Sequence, residues 1–185
     1  MKELRIAFAG APGTGKTTLA EQVSLELKVP MFPSPYNRAQ WVPGERRFLV
    51  PILQPESSRR HQLELESCNE SFVVDVSALD NLALKILHYD GAIEQHEWDE
   101  CVSATERYTH IIYCPTSAFV CLKDDVEPLT YKMAYDAVIR GLLVNTHTPF
   151  LLLHQSSFEK RREATLRFLS HPSSRSAAYT KVLRA

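Results

Sequence analysis

The chain has 185 residues, 44% of them hydrophobic, and a formal charge of −1. That length supports one domain with a full core, and the near-neutral balance excludes polyanion binding by bulk charge alone. No secretory leader opens the chain and no apolar run approaches the length of a membrane span, so the sequence reads as a cytoplasmic protein without a membrane partner.

The first element is a strand over Leu4–Ala9, short and apolar as a strand buried in a parallel sheet should be. Gly10–Thr18 follows, reading Gly-Ala-Pro-Gly-Thr-Gly-Lys-Thr-Thr, and it fits G-x-x-x-x-G-K-[ST] with Gly10, Gly15, Lys16 and Thr17 in the fixed places. Leu19, Val23 and Leu27 then recur at helical spacing over Thr18–Lys28. Strand, glycine loop and helix in that order predict a phosphate cradle. The backbone amides of Gly10, Ala11, Gly13, Thr14, Gly15, Lys16, Thr17 and Thr18, with Pro12 stiffening the turn, would surround a polyphosphate at a helix N-terminus. Lys16 would neutralise the β- and γ-phosphates, and the Thr17 hydroxyl would join the shell of a Mg²⁺ ion.

Val29–Met31 reads as a second strand, and the Pro-rich run to Glu45 as a loop whose Tyr36, Arg38 and Trp41 suit ligand contact or core capping equally. Arg46–Cys68 carries a helical pattern broken by Pro51 and Pro55, which predicts two helices or a kinked one. Within it, Arg59 and Gln62 are the candidates to turn towards a substrate. Ser71–Asp75 is an apolar strand ending in an acid, the place where open α/β sheets bind ligands. Asp75 is thereby a candidate metal ligand or proton acceptor, with a cap for the helix Ala78–Tyr89 as the competing role, open also to Ser77. Asp80 and Asn81, one turn into that helix, are substrate candidates set against ordinary exposed polars.

A polar helix over Ile93–Arg107 precedes a strand over Thr109–Pro115, whose His110 reads as structural. An exposed flap is expected near 116–130, then a helix over Leu129–Asn145 with Tyr131, Ala134, Tyr135, Val138 and Leu142 on its inner face. Thr148–His154 is the last strand. Ser156 or Ser157 caps a final helix that buries Phe158, Thr165, Leu166 and Leu169 and leaves Lys160, Arg161, Arg162 and Arg167 outside. Residues 1–170 thus form one domain and 171–185 a basic tail; from Gln155 onward seven Lys/Arg stand against two Glu. Cys68, Cys101, Cys114 and Cys121 lack zinc spacing and are expected to be free thiols. The alternation predicts an α/β fold, a doubly wound, mostly parallel five-stranded sheet of the phosphate-loop NTPase kind.

Taken together, Gly10–Thr17, Phe72–Asp75 with the following Ala78–Ala83, Tyr108–Pro115, the Asp124-Asp125 flap and Pro149–His154 with its Ser-x-x-x-Arg helix resemble small P-loop kinases. The likeness is to the ribosylnicotinamide-kinase-like and thymidylate-kinase-like groups, and it implies an ATP- and Mg²⁺-dependent transfer of phosphate to a hydroxyl of a nucleoside or nucleotide. Lys16 and Asp75 would be the catalytic pair, and Thr17 and Asp75 the metal ligands. Those kinases often carry an arginine after the acid, where this chain has Asp75-Val76-Ser77, and arginines in the flap, where it has Lys123 alone. Arg38, Arg107, Lys132, Arg140 and Arg161 are the possible substitutes. One alternative is the phage type of kinase that phosphorylates hydroxymethylated pyrimidine within DNA, which would place the protein in a host cytoplasm and use the basic C-terminal region on DNA. Another is a non-kinase NTPase switch.

Overall fold

The computed structural model describes residues 3–34, 41–42, 47–48, 66–67, 69–88, 93–116, 129–145, 150–155 and 157–170. In chain order the elements are β1 (Arg5–Ala9), α1 (Lys16–Leu27), β2 (Met31–Phe32), β3 (Trp41–Val42), β4 (Arg47–Phe48), β5 (Phe72–Val74), α2 (Ala78–His88), α3 (Gln95–Arg107), β6 (His110–Tyr113), α4 (Leu129–Asn145), β7 (Phe150–Leu152) and α5 (Phe158–Ser170).

Five strands form one sheet in the order β2-β5-β1-β6-β7, and every pairing within it is parallel. Parallel strands must be covered on both faces, and their sequences show it. Ile6, Phe8, Val73 and Ile112 point into one core with Leu19, Val23 and Leu169 from α1 and α5. Ala7, Ala9, Phe72, Val74, Ile111 and Tyr113 point into the other, with Leu79, Leu82, Ala104, Tyr135, Ile139 and Leu143 from α2, α3 and α4. The fold is the doubly wound sheet expected.

The strand order also places the site. The chain lays β2 and β5 on one side of β1 and β6 and β7 on the other. The loop leaving the C-terminal end of β1 therefore stands where the order reverses, the place such sheets use for ligands.

Three local expectations are corrected. The second strand falls at Met31–Phe32, where Met31 and Phe32 pair with Val73 and Val74, one residue beyond the predicted Val29–Met31. Arg47–Phe48, expected to open a helix, pairs antiparallel with Trp41–Val42; strands of two residues are too short for an alternating pattern to show in the sequence. On α4 the buried residues are Lys132, Tyr135, Asp136, Ile139, Leu142 and Leu143; Tyr131 and Val138 pack against the core half-buried as expected, and of the predicted face Ala134 alone is exposed. The α4 span itself, Leu129–Asn145, is as predicted. Cys101 and Cys114 are buried free thiols. Cys68, Cys121, most of the flap and 171–185 lie outside the described residues.

Candidate active site

The loop between β1 and α1 takes its shape from backbone geometry. Gly10 has φ 135 and Gly15 φ 78, conformations that L side chains resist. Gly15 is also the N-cap of α1 and brings no side-chain cap, so the first amides of the helix keep their hydrogen-bonding capacity for an anion. Two cations hold the loop from inside. Lys16 Nζ donates to the Ala11 carbonyl at 2.8 Å, which also accepts from the Thr14 hydroxyl. Arg161 Nη1 donates to the Thr14 carbonyl at 2.8 Å. A trans peptide sets its C=O and N–H in opposite directions, so fixing the Thr14 carbonyl on Arg161 aims the Gly15 amide away from α5.

Asp75 follows β5, and its Oδ2 accepts a hydrogen bond from the Thr17 hydroxyl at 2.8 Å. The carboxylate ending the neighbouring strand thus faces the glycine loop. The two groups that meet there in this bond are oxygen donors, a hydroxyl and a carboxylate, which is the donor chemistry Mg²⁺ accepts when phosphates and waters complete its shell. Among the described residues no cluster of three or more His, Cys, Asp or Glu suited to a metal occurs.

Asp80 lies beneath the loop, fully buried. It is the third residue of α2, and Ser77 with Asp80 forms a reciprocal cap: Ser77 Oγ accepts from the Asp80 amide, and Asp80 Oδ2 accepts from the Ser77 amide. Burial pushes the Asp80 carboxyl above the usual range, while Lys16 and its hydrogen bonds to Ser77, Gly10 and Tyr135 pull it back. Cys114, behind the loop, is raised by burial against the opposing pull of Arg161 and Lys16.

A family model for an AAA domain, AAA_28, matches residues 5–161. The chain belongs to the AAA_28 family. Among curated proteins none matches significantly. Solved structures of the same fold include deoxyadenosine kinase from M. mycoides with bound dATP, with 14% identity and TM-score 0.61 over 91% of this chain and all of that one. They also include YorR protein from Bacillus subtilis in complex with phosphorylated GDP, with 13% identity and TM-score 0.61 over 89% of this chain and 94% of that one. Thymidylate kinase from Ehrlichia chaffeensis has 13% identity and TM-score 0.56 over 90% and 98%. The fold of this AAA_28 member is therefore that of a phosphate-loop NTPase.

In this AAA_28 chain the loop residues Gly10–Thr18, Lys16 and Asp75 come together. Tyr36, Arg38, Arg59 and Gln62 lie outside the described residues. Asp80 is not an exposed polar, and Asn81 is buried with it; Asp80 reaches the loop amide, not the surface, so it is not placed to touch a substrate. Arg161 is likewise corrected from outside to inside, with 2% exposure. Its signal was available: Arg161 precedes Thr165 by four residues and Leu169 by eight, on the one stripe of α5 that is buried. Arg140 instead bonds the Tyr113 hydroxyl and faces Asp136, Arg107 lies 4.0 Å from Glu66, and Lys132 is buried on α4. His110 is structural as expected, buried with its ring edge-on to Phe168.

Replacement Arg161→Ala is expected to destabilise the fold by about 2–4 kcal/mol, through a lost charged hydrogen bond and a cavity. Arg161→Lys should recover only part, since a single ammonium does not reproduce the guanidinium fork. Urea unfolding of both variants measures this.

Proposed function

We propose that the protein is an ATP-dependent phosphotransferase that moves the γ-phosphate to a hydroxyl of a nucleoside or nucleotide. The observation that carries this reading is the 2.8 Å bond between Thr17 and Asp75, which sets one carboxylate across from a glycine loop braced by Lys16. The fold shared with deoxyadenosine and thymidylate kinases supports the acceptor class, and membership of the ribosylnicotinamide-kinase-like or thymidylate-kinase-like group is its narrower form.

In this mechanism the loop amides and the start of α1 bind the triphosphate. Lys16 turns from the Ala11 carbonyl to the β- and γ-oxygens and offsets charge on the transferring group. Thr17 and Asp75 would hold Mg²⁺, which neutralises phosphate charge when bound. The Asp75 carboxylate, placed at the loop by its bond to Thr17, would also orient the acceptor hydroxyl. Most of the acceleration comes from alignment, because phosphoryl transfer needs little covalent help.

The DNA-acceptor alternative draws on the basic C-terminal region, and the described part of that region weakens it. Arg161 is spent on the loop, and Arg162 is paired with Glu26 and Glu159. A switch without an acceptor is compatible with the AAA-domain match, and the fold shared with proteins named as kinases favours transfer over it.

Labelled ATP incubated with nucleosides, nucleoside monophosphates, nicotinamide riboside, plain DNA and hydroxymethyluracil DNA tests the proposal. Label in a small molecule supports it, label in DNA alone transfers the argument to the alternative, and release of free phosphate alone overturns both. Asp75→Asn is expected to slow transfer by at least about a hundredfold with the fold intact. Near-normal turnover in that variant would remove Asp75 from the mechanism.

A further inference from the structure

Asp80 is built for more than capping α2. The cap needs one carboxylate oxygen, and Oδ2 supplies it, accepting from the Ser77 amide at 3.0 Å and the Ser77 hydroxyl at 2.5 Å. The other oxygen looks elsewhere. Oδ1 accepts from the Gly10 amide at 3.1 Å, 70 residues away in sequence, and from the Tyr135 hydroxyl at 3.0 Å, 55 residues away on α4. A capping carboxylate at a helix start is ordinarily solvated, and burying one is unfavourable unless its lone pairs are filled. Here four donors fill them, and two belong to elements that the cap does not need.

Gly10 is held from the opposite side as well. A Cβ built on it would lie 2.3 Å from the Cys114 carbonyl oxygen. The first peptide of the loop is thus seated between the backbone after β6 and the Asp80 carboxylate. Its direction fixes where the following amides point.

We propose that Asp80 is a positioning residue for the phosphate loop, acting through the Gly10 amide, and that Tyr135 ties this brace to α4, so that the pair sets how tightly the loop grips a triphosphate. This rests on the reading of residues 10–18 as a triphosphate cradle. It adds two residues that reach no ligand themselves, one in α2 and one in α4.

The test uses the full chain with two probes, Mg-ATP and inorganic tripolyphosphate, the second having no base or sugar. Asp80→Asn keeps the volume but sets an amide donor against either the Gly10 or the Ser77 amide. Tyr135→Phe removes one hydroxyl and keeps the ring. Asp80→Asn is expected to weaken both probes by about tenfold and Tyr135→Phe by about threefold, in protein that remains folded by circular dichroism. The double variant should lose less than the product of the two single effects, since both changes act through the bonds of one side chain. A lowered melting temperature with unchanged affinity in folded Asp80→Asn would reduce Asp80 to a cap and overturn the proposal. So would weakening confined to Mg-ATP. Where Asp80→Asn does not fold, unchanged affinity in Tyr135→Phe overturns it equally. Failure of the unaltered protein to bind either probe is a different result, which removes the reading of the loop itself along with the brace.

Discussion

Lys16→Ala is expected to reduce phosphoryl transfer about a thousandfold while the chain still folds, as measured by labelled transfer beside circular dichroism. The size follows from where the ammonium sits. It is the cation bonded within the glycine loop at the Ala11 carbonyl, and no second lysine stands in the motif to replace it. Removing it also withdraws the charge that favours ionised Asp80. The sign of the accompanying pH effect follows. A carboxyl raised in the folded state contributes stability below its ordinary value and loses it as pH climbs through the raised one. Without Lys16 that loss deepens, with the groups still facing Asp80 being the Gly10 and Ser77 amides, the Ser77 and Tyr135 hydroxyls and the Cys114 thiol. The melting-temperature gap between Lys16→Ala and the unaltered protein should therefore widen as pH rises above the ordinary carboxylate range. A gap of constant width would place Asp80 outside the influence of Lys16, and transfer within tenfold of normal would remove Lys16 from the mechanism.

How much of this was legible beforehand depended on whether the deciding partner was near in sequence. The glycine loop was, because Gly10, Gly13 and Gly15 all occupy positive φ that the motif encodes locally. So was the span of α4 from Leu129 to Asn145, though not the whole of its buried face, since Lys132 and Asp136 lie inside. Arg161 and Asp80 were misplaced for one common reason. Charged side chains are read as solvated unless a partner is visible, and their partners, Thr14 and Gly10, lie 147 and 70 residues away. Position on the buried stripe of α5 and the Ser77-x-x-Asp80 cap were the local clues, and each needed the tertiary contact to acquire meaning. The β3–β4 ladder failed differently: two-residue strands are too short for any period to register, and helical spacing in the residues beyond them prevailed.

Gly10→Ala and Gly141→Ala are expected to change stability in opposite directions, and the contrast isolates what the loop demands. At Gly10 the added methyl meets the Cys114 carbonyl oxygen at 2.3 Å and its carbon at 3.1 Å. Neither atom can swing aside like a side chain, because the Cys114 amide is itself bonded to the Ala9 carbonyl at 2.8 Å in the sheet. Relief would have to come from parting β1 and β6, whose pairing runs from Ile6 with His110 to Ala9 with Tyr113. Overpacking of this kind costs about 1–3 kcal/mol, and an L residue at φ 135 adds about 1–3 kcal/mol more. A loss near 4 kcal/mol, roughly a 10 °C fall in melting temperature for a chain of this size, takes a large share of the about 5–15 kcal/mol typical of a domain. Gly141 sits on the exposed face of α4 with nothing within 4 Å of a new Cβ, so alanine there should stabilise by about 0.5–1 kcal/mol through helix propensity. Thermal melts of the two variants give the comparison directly. Equal and small shifts would mean that β1 and the backbone after β6 are not pressed together at Gly10, and the geometry that directs the loop amides would have to originate elsewhere.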